Sequence, residues 1–243
     1  DEVTARTGLD PPRTPAAPGR IDPLEPPELP LGPADLITPI ALSALWLGAG
    51  ILQPLGFVPT LAVIALLVVG AHILLSRRHR SSRPPRASVG AAPRTVVLAR
   101  EFGLGAVAGL AGLVVTHAIA RALFPLWPGG RAELGRLFAI VATDLPPALA
   151  IPATALIAVA EELLWRGLSH RALASKLPVS AAVAVGAAWY MICQAGLGAA
   201  LPVAAALVLG TVTSLLRVWT GRLAASIGLH LVWTLGIVWV TPP

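Results

Sequence analysis

Among its 243 residues the chain has one cysteine, one methionine, one tyrosine and four phenylalanines, and only 12% of the residues are charged. Soluble domains carry about 25% charged residues, so this scarcity excludes an ordinary soluble enzyme. The lone Cys193 excludes an intrachain disulfide framework and a zinc-type cysteine cluster. No charged-then-apolar leader opens the sequence. What is abundant is apolar: 56% of residues are hydrophobic, and the mean hydropathy is +0.77. Such a chain must satisfy its backbone inside lipid, as helices or as a closed barrel. A barrel needs alternating strands of about ten residues. The long runs of Ala, Leu, Val and Gly do not alternate, so the expected class is an all-α integral membrane protein.

The net charge of +6 comes from arginines that sit mostly between apolar runs. There they face anionic lipid and set topology; nucleic acid is not an expected partner. Residues 1–35 form a Pro-rich tail, too rich in proline for helix or strand. Such a segment is either disordered by itself or ordered by lying extended along a partner, and the second reading puts another membrane subunit there. Residues 36–243 read as one polytopic helical domain. About seven spans are expected, over 36–53, 55–75, 102–120, 137–160, 181–197, 201–217 and 223–241. In that arrangement 15 of the 18 Lys and Arg fall on one side, and Arg121, Arg131 and Arg136 on the other. Positive charge stays in the cytoplasm, which puts the N-terminus inside and the C-terminus outside. Gly105 and Gly109, four apart, can let two helices approach closely.

Ionisable groups inside membrane segments are costly and are therefore candidate sites. Here they are His117, Asp144, Glu161, Glu162, Arg166 and His230. If the fourth helix runs past residue 160, Glu162 and Arg166 share a face one turn apart. Glu161 then points about 100° away, towards another neighbour. Adjacent carboxylates in a poorly solvated place cannot both ionise cheaply, which suits general-base chemistry; a solvated Glu–Arg pair at the interface is the plainer alternative. His230 lies mid-helix with Thr234 one turn on, and Tyr190 and Gln194 form a second polar pair at the same spacing.

Glu161-Glu162-x-x-x-Arg166, then Tyr190-x-x-x-Gln194, then a "TG-x-L" turn and His230-x-x-x-Thr234 resemble the ordered motifs of the CPBP intramembrane metalloproteases. That family includes the type 2 CAAX prenyl proteases, and the resemblance covers about 145–240. It implies a helical bundle in which Glu161, Glu162, Arg166 and His230 are catalytic and Tyr190, Gln194 and Thr234 complete the pocket. It also implies zinc or an activated water, with His230 and Glu161 as metal ligands. Two positions depart from the pattern: the family's second-motif His is Gln194, and its third-motif Asn or Asp is Thr234. Neutral Gln and Thr are poor zinc ligands.

Two expectations follow. One is a catalytically degenerate family member serving as a subunit or assembly factor of a larger membrane complex. The other is an active glutamate-dependent intramembrane metalloprotease that cleaves membrane-associated peptides. The expected setting is a bacterial cytoplasmic membrane.

Overall fold

A computed structural model describes residues 31–52, 55–81 and 93–240. The proposed role of the Pro-rich tail falls almost wholly outside these residues. Within them there are helices and turns and no ladder of strands. In chain order the helices are α1 (Pro33–Leu52), α2 (Phe57–Ser81), α3 (Arg94–Leu123), α4 (Pro128–Thr143), α5 (Pro147–Glu162), α6 (His170–Ala174), α7 (Val179–Gln194), α8 (Ala200–Thr220) and α9 (Ala224–Leu235).

Six stretches among the described residues are long and apolar enough to cross a membrane, and Ala224–Val240 is a shorter apolar helix. Crossing the hydrocarbon core takes about 20 residues at 1.5 Å each. α1 just meets this despite Pro39, whose missing N–H interrupts the helical bonding. The Ser43 hydroxyl donates to the Pro39 carbonyl at 2.6 Å.

The apolar run expected at 137–160 is divided. α4 ends at Thr143, and α5 starts after Pro146, which cannot donate a helical hydrogen bond. The span is instead Pro147–Ala174. It stays continuous because a π-helical stretch, Leu163–Ser169, joins α5 to α6. α4 clamps the starts of two other helices. Asp144 accepts from the Val58 N–H at 2.9 Å, and Glu133 accepts from the Ala200 N–H. Asp144 is therefore a helix cap, where free N–H groups favour a carboxylate.

The glycines of α3 fix the place of α9. A Cβ at Gly105 would run into the Ala225 carbonyl, and one at Gly109 would stand 2.6 Å from the Leu229 oxygen. Gly228 meets the Phe102 carbonyl in the same way. The two backbones thus touch, as small residues four apart allow. Trp233 Nε1 donates across this seam to Thr116 Oγ1 at 2.9 Å. The lipid-facing side of α3 exposes Val107, Leu110, Val114 and Val115.

Candidate functional site: a buried carboxylate–imidazole network

Three elements converge in the bundle's interior. The end of α5 supplies Glu161 and Glu162, α7 supplies Tyr190 and Gln194, and α9, held by the α3 glycines, supplies His230. Continuation of the span past 160 puts Arg166 one turn beyond Glu162, on the same face.

The polar groups there bond to one another. Glu161 Oε2 accepts from the Tyr190 hydroxyl at 3.0 Å, and Oε1 accepts from the Gln194 amide at 2.5 Å. His230 bridges the two carboxylates: Nε2 lies 3.2 Å from Glu161 Oε2 and Nδ1 lies 2.7 Å from Glu162 Oε1. Arg166 Nη1 donates to that same Glu162 oxygen at 3.1 Å. The guanidinium lies over the Tyr190 ring, 4.8 Å from its centre. Gly210 makes room for this stack; a Cβ there would stand 3.1 Å from Tyr190 Cδ1. Trp165 also packs against Tyr190, with ring centres 5.3 Å apart.

All six side chains are buried; Glu162 is 0% and Arg166 1% exposed. Buried charges are tolerable only when paired and hydrogen-bonded, and these largely are. Glu162 Oε2 and, on Arg166, Nε and Nη2 are left without a hydrogen bond.

The donor set does not suit zinc. A metal-bound imidazole needs a free lone pair about 2.0–2.1 Å from the ion. With a carboxylate oxygen at each ring nitrogen, either both His230 nitrogens donate or a carboxyl donates to one of them, and no lone pair is left. Among the described residues no three or more His, Cys, Asp or Glu side chains are grouped to hold a metal ion.

The sequence-derived residues do not all meet here. Glu161, Glu162, Arg166, Tyr190, Gln194 and His230 form the network. Thr234 does not join it: Oγ1 is buried without a hydrogen-bond partner. His117 bonds within its own helix, donating from Nδ1 to the Leu113 carbonyl at 2.8 Å.

Sequence reasoning missed a second buried polar group one turn beyond Arg166. It comprises Ser169 and His170, and Arg217 of α8 is among the charges whose field reaches His170. The signal was the Arg166-x-x-x-His170 spacing, hidden by ending the helix at residue 160.

Residues 143–236 match the family model described as type II CAAX prenyl endopeptidase Rce1-like. The match begins at the end of α4 and includes every residue of the network, and it is consistent with the CPBP family to which the motifs point. Comparison with curated proteins and with solved structures gives no match.

Proposed function

Starting from an Rce1-like domain over residues 143–236 of a polytopic helical membrane protein, we propose that this chain is a catalytically degenerate family member. It works as a subunit or assembly factor of a larger membrane complex, and its former catalytic positions cross-brace the bundle. The observation that carries this reading is the Gln194 amide on Glu161, at 2.5 Å. A general base must take a proton from a water within hydrogen-bond reach. The neutral amide of Gln194 cannot share that work as an imidazole can. It spends its donor on one Glu161 oxygen while Tyr190 and His230 occupy the other.

The cationic end of the bundle faces the cytoplasm in this reading, with the N-terminus inside, the C-terminus outside and a bacterial inner membrane as the setting. Arg166 is buried within a span and drops out of the loop count, yet 14 of the other 17 Lys and Arg remain on the N-terminal side.

One observation favours a second reading, the active glutamate-dependent protease. Glu162 Oε2 has no hydrogen-bond partner and could accept a proton from water. The two readings part on a prenylated CAAX peptide presented to the full chain in proteoliposomes. Degeneracy predicts no cleavage above that of Glu161→Ala and Glu162→Ala controls. Cleavage by the unaltered chain that either substitution abolishes would establish the protease instead. For the complex, native electrophoresis of gently solubilised membranes is expected to show the 25.0 kDa chain in a larger assembly. Migration as a detergent-bound monomer would remove that role.

A further inference from the structure

We infer that Ser169, His170 and Arg217 form a binding site for a phosphate group of net negative charge, at the end of the bundle where α8 stops. The site is separate from the Glu161–His230 network and does not depend on whether that network is catalytic.

The geometry points to an anion in three ways. First, His170 is 4% and Ser169 1% exposed. Yet both ring nitrogens of His170 and the Ser169 hydroxyl lack hydrogen-bond partners, as do the buried Nε and Nη1 of Arg217. A buried donor left unmade costs about 1–3 kcal/mol, and more when charged. Second, the charged groups acting on His170 are Arg217 and Arg166, both permanent cations. Arg166 has its counter-charge in Glu162 at 3.1 Å. Glu101 is the carboxylate nearest in influence to Arg217, but it spends Oε1 on Arg222 at 2.7 Å. Its other oxygen makes no hydrogen bond, and Arg217 has no ion pair among the described residues. Water could satisfy these donors but not the charge; an anion does both. Third, Arg217 lies in the last turn of a helix of 21 residues, Ala200–Thr220. Such a helix spans about 30 Å, so its last turn lies at the level of lipid phosphates. The planar fork of arginine suits two phosphate oxygens, and His170 and Ser169 can donate to the others.

A lipid headgroup and free phosphate share this chemistry, and the test separates them. The full chain, stripped of lipid in detergent, would be titrated with phosphatidylglycerol, phosphatidylcholine or inorganic phosphate. Unfolding temperature and bound adducts by native mass spectrometry are the readouts. Phosphatidylglycerol is expected to bind one per chain and raise the unfolding temperature, and zwitterionic phosphatidylcholine is not. Arg217→Gln should weaken binding about tenfold, the value of one charge-assisted bond, and His170→Gln should weaken it less. Lys176→Gln, a change at an exposed cation, should leave it unaltered. Arg217→Lys keeps the charge but loses the fork, and should weaken binding by an intermediate amount if the Gln variant does not fold. An equal rise with inorganic phosphate, lost in Arg217→Gln, would assign the site to the free ion. Absence of binding by any probe, or equal loss in the Lys176 and Arg217 variants, would overturn the proposal, the latter because diffuse surface charge would then explain the attraction.

Discussion

The two buried polar clusters sit two turns apart along one span and differ in how their charges are paired. Around Glu161 and Glu162 every charged side chain has an oppositely charged or hydrogen-bonding partner, although Glu162 Oε2 and the Nε and Nη2 of Arg166 make no hydrogen bond. Around His170 and Arg217 the donors are in excess and five atoms are left unbonded. The difference follows from composition: the first cluster has two carboxylates for its cations, while in the second the available carboxylate, Glu101, is bonded to the exposed Arg222. A cluster whose charges are paired braces the fold and has little charge left to offer a ligand. One whose cation lacks a partner is a place where a ligand adds stability.

Substitutions should expose this contrast, and the largest effect is expected at the Glu162–Arg166 pair. Either Glu162→Ala or Arg166→Ala strands a buried charge and should cost about 3–5 kcal/mol, read from denaturant unfolding in detergent micelles. Replacing both together by leucine should recover much of that loss, because no charge is then stranded. Gln194→Ala should cost about 1–3 kcal/mol by leaving Glu161 Oε1 buried with no partner. Chemical denaturation of this variant showing no loss would mean the amide bond is not part of the brace. His170→Leu, by contrast, removes donors that bond to nothing. Without added anion it should be neutral or mildly stabilising, within about 1 kcal/mol, by the same unfolding measurement. A loss as large as that of Gln194→Ala would dissolve the comparison. The smallest effect is expected at Arg222→Gln, about 0–1 kcal/mol, because Arg222 is 53% exposed and its pair with Glu101 lies at the surface. That change also frees Glu101 to turn towards Arg217, so it should weaken phosphate binding more than it weakens the fold.

Much of this was legible in the sequence because membrane helices are written in long, simple patterns. The apolar runs gave the helical class and most spans, and the spacing of Gly105 and Gly109 pointed to the close seam that holds α9. The order of Glu161-Glu162-x-x-x-Arg166, Tyr190-x-x-x-Gln194 and His230 named six side chains that the fold places side by side. The division at 144–146 was less legible. Asp144-Leu145-Pro146-Pro147 interrupts an otherwise continuous apolar stretch, and hydropathy averages over it. The proline pair was the available signal. That misplacement ended the helix early and turned Ser169 and His170 into loop residues. The same counting made Arg166 and Arg217 topology markers, although Arg166 is buried. Thr234 had the right spacing from His230, but spacing along one helix cannot say whether a hydroxyl reaches a partner on another.

Both ring nitrogens of His230 are taken up by carboxylate oxygens. Metal stoichiometry shows whether that pairing holds against zinc. The full chain would be purified without chelator, equilibrated with zinc, freed of loose metal and measured by elemental mass spectrometry beside His230→Ala. No zinc that depends on His230 is expected. One zinc per chain, lost in His230→Ala, would contradict that pairing and show that the network opens to take a metal.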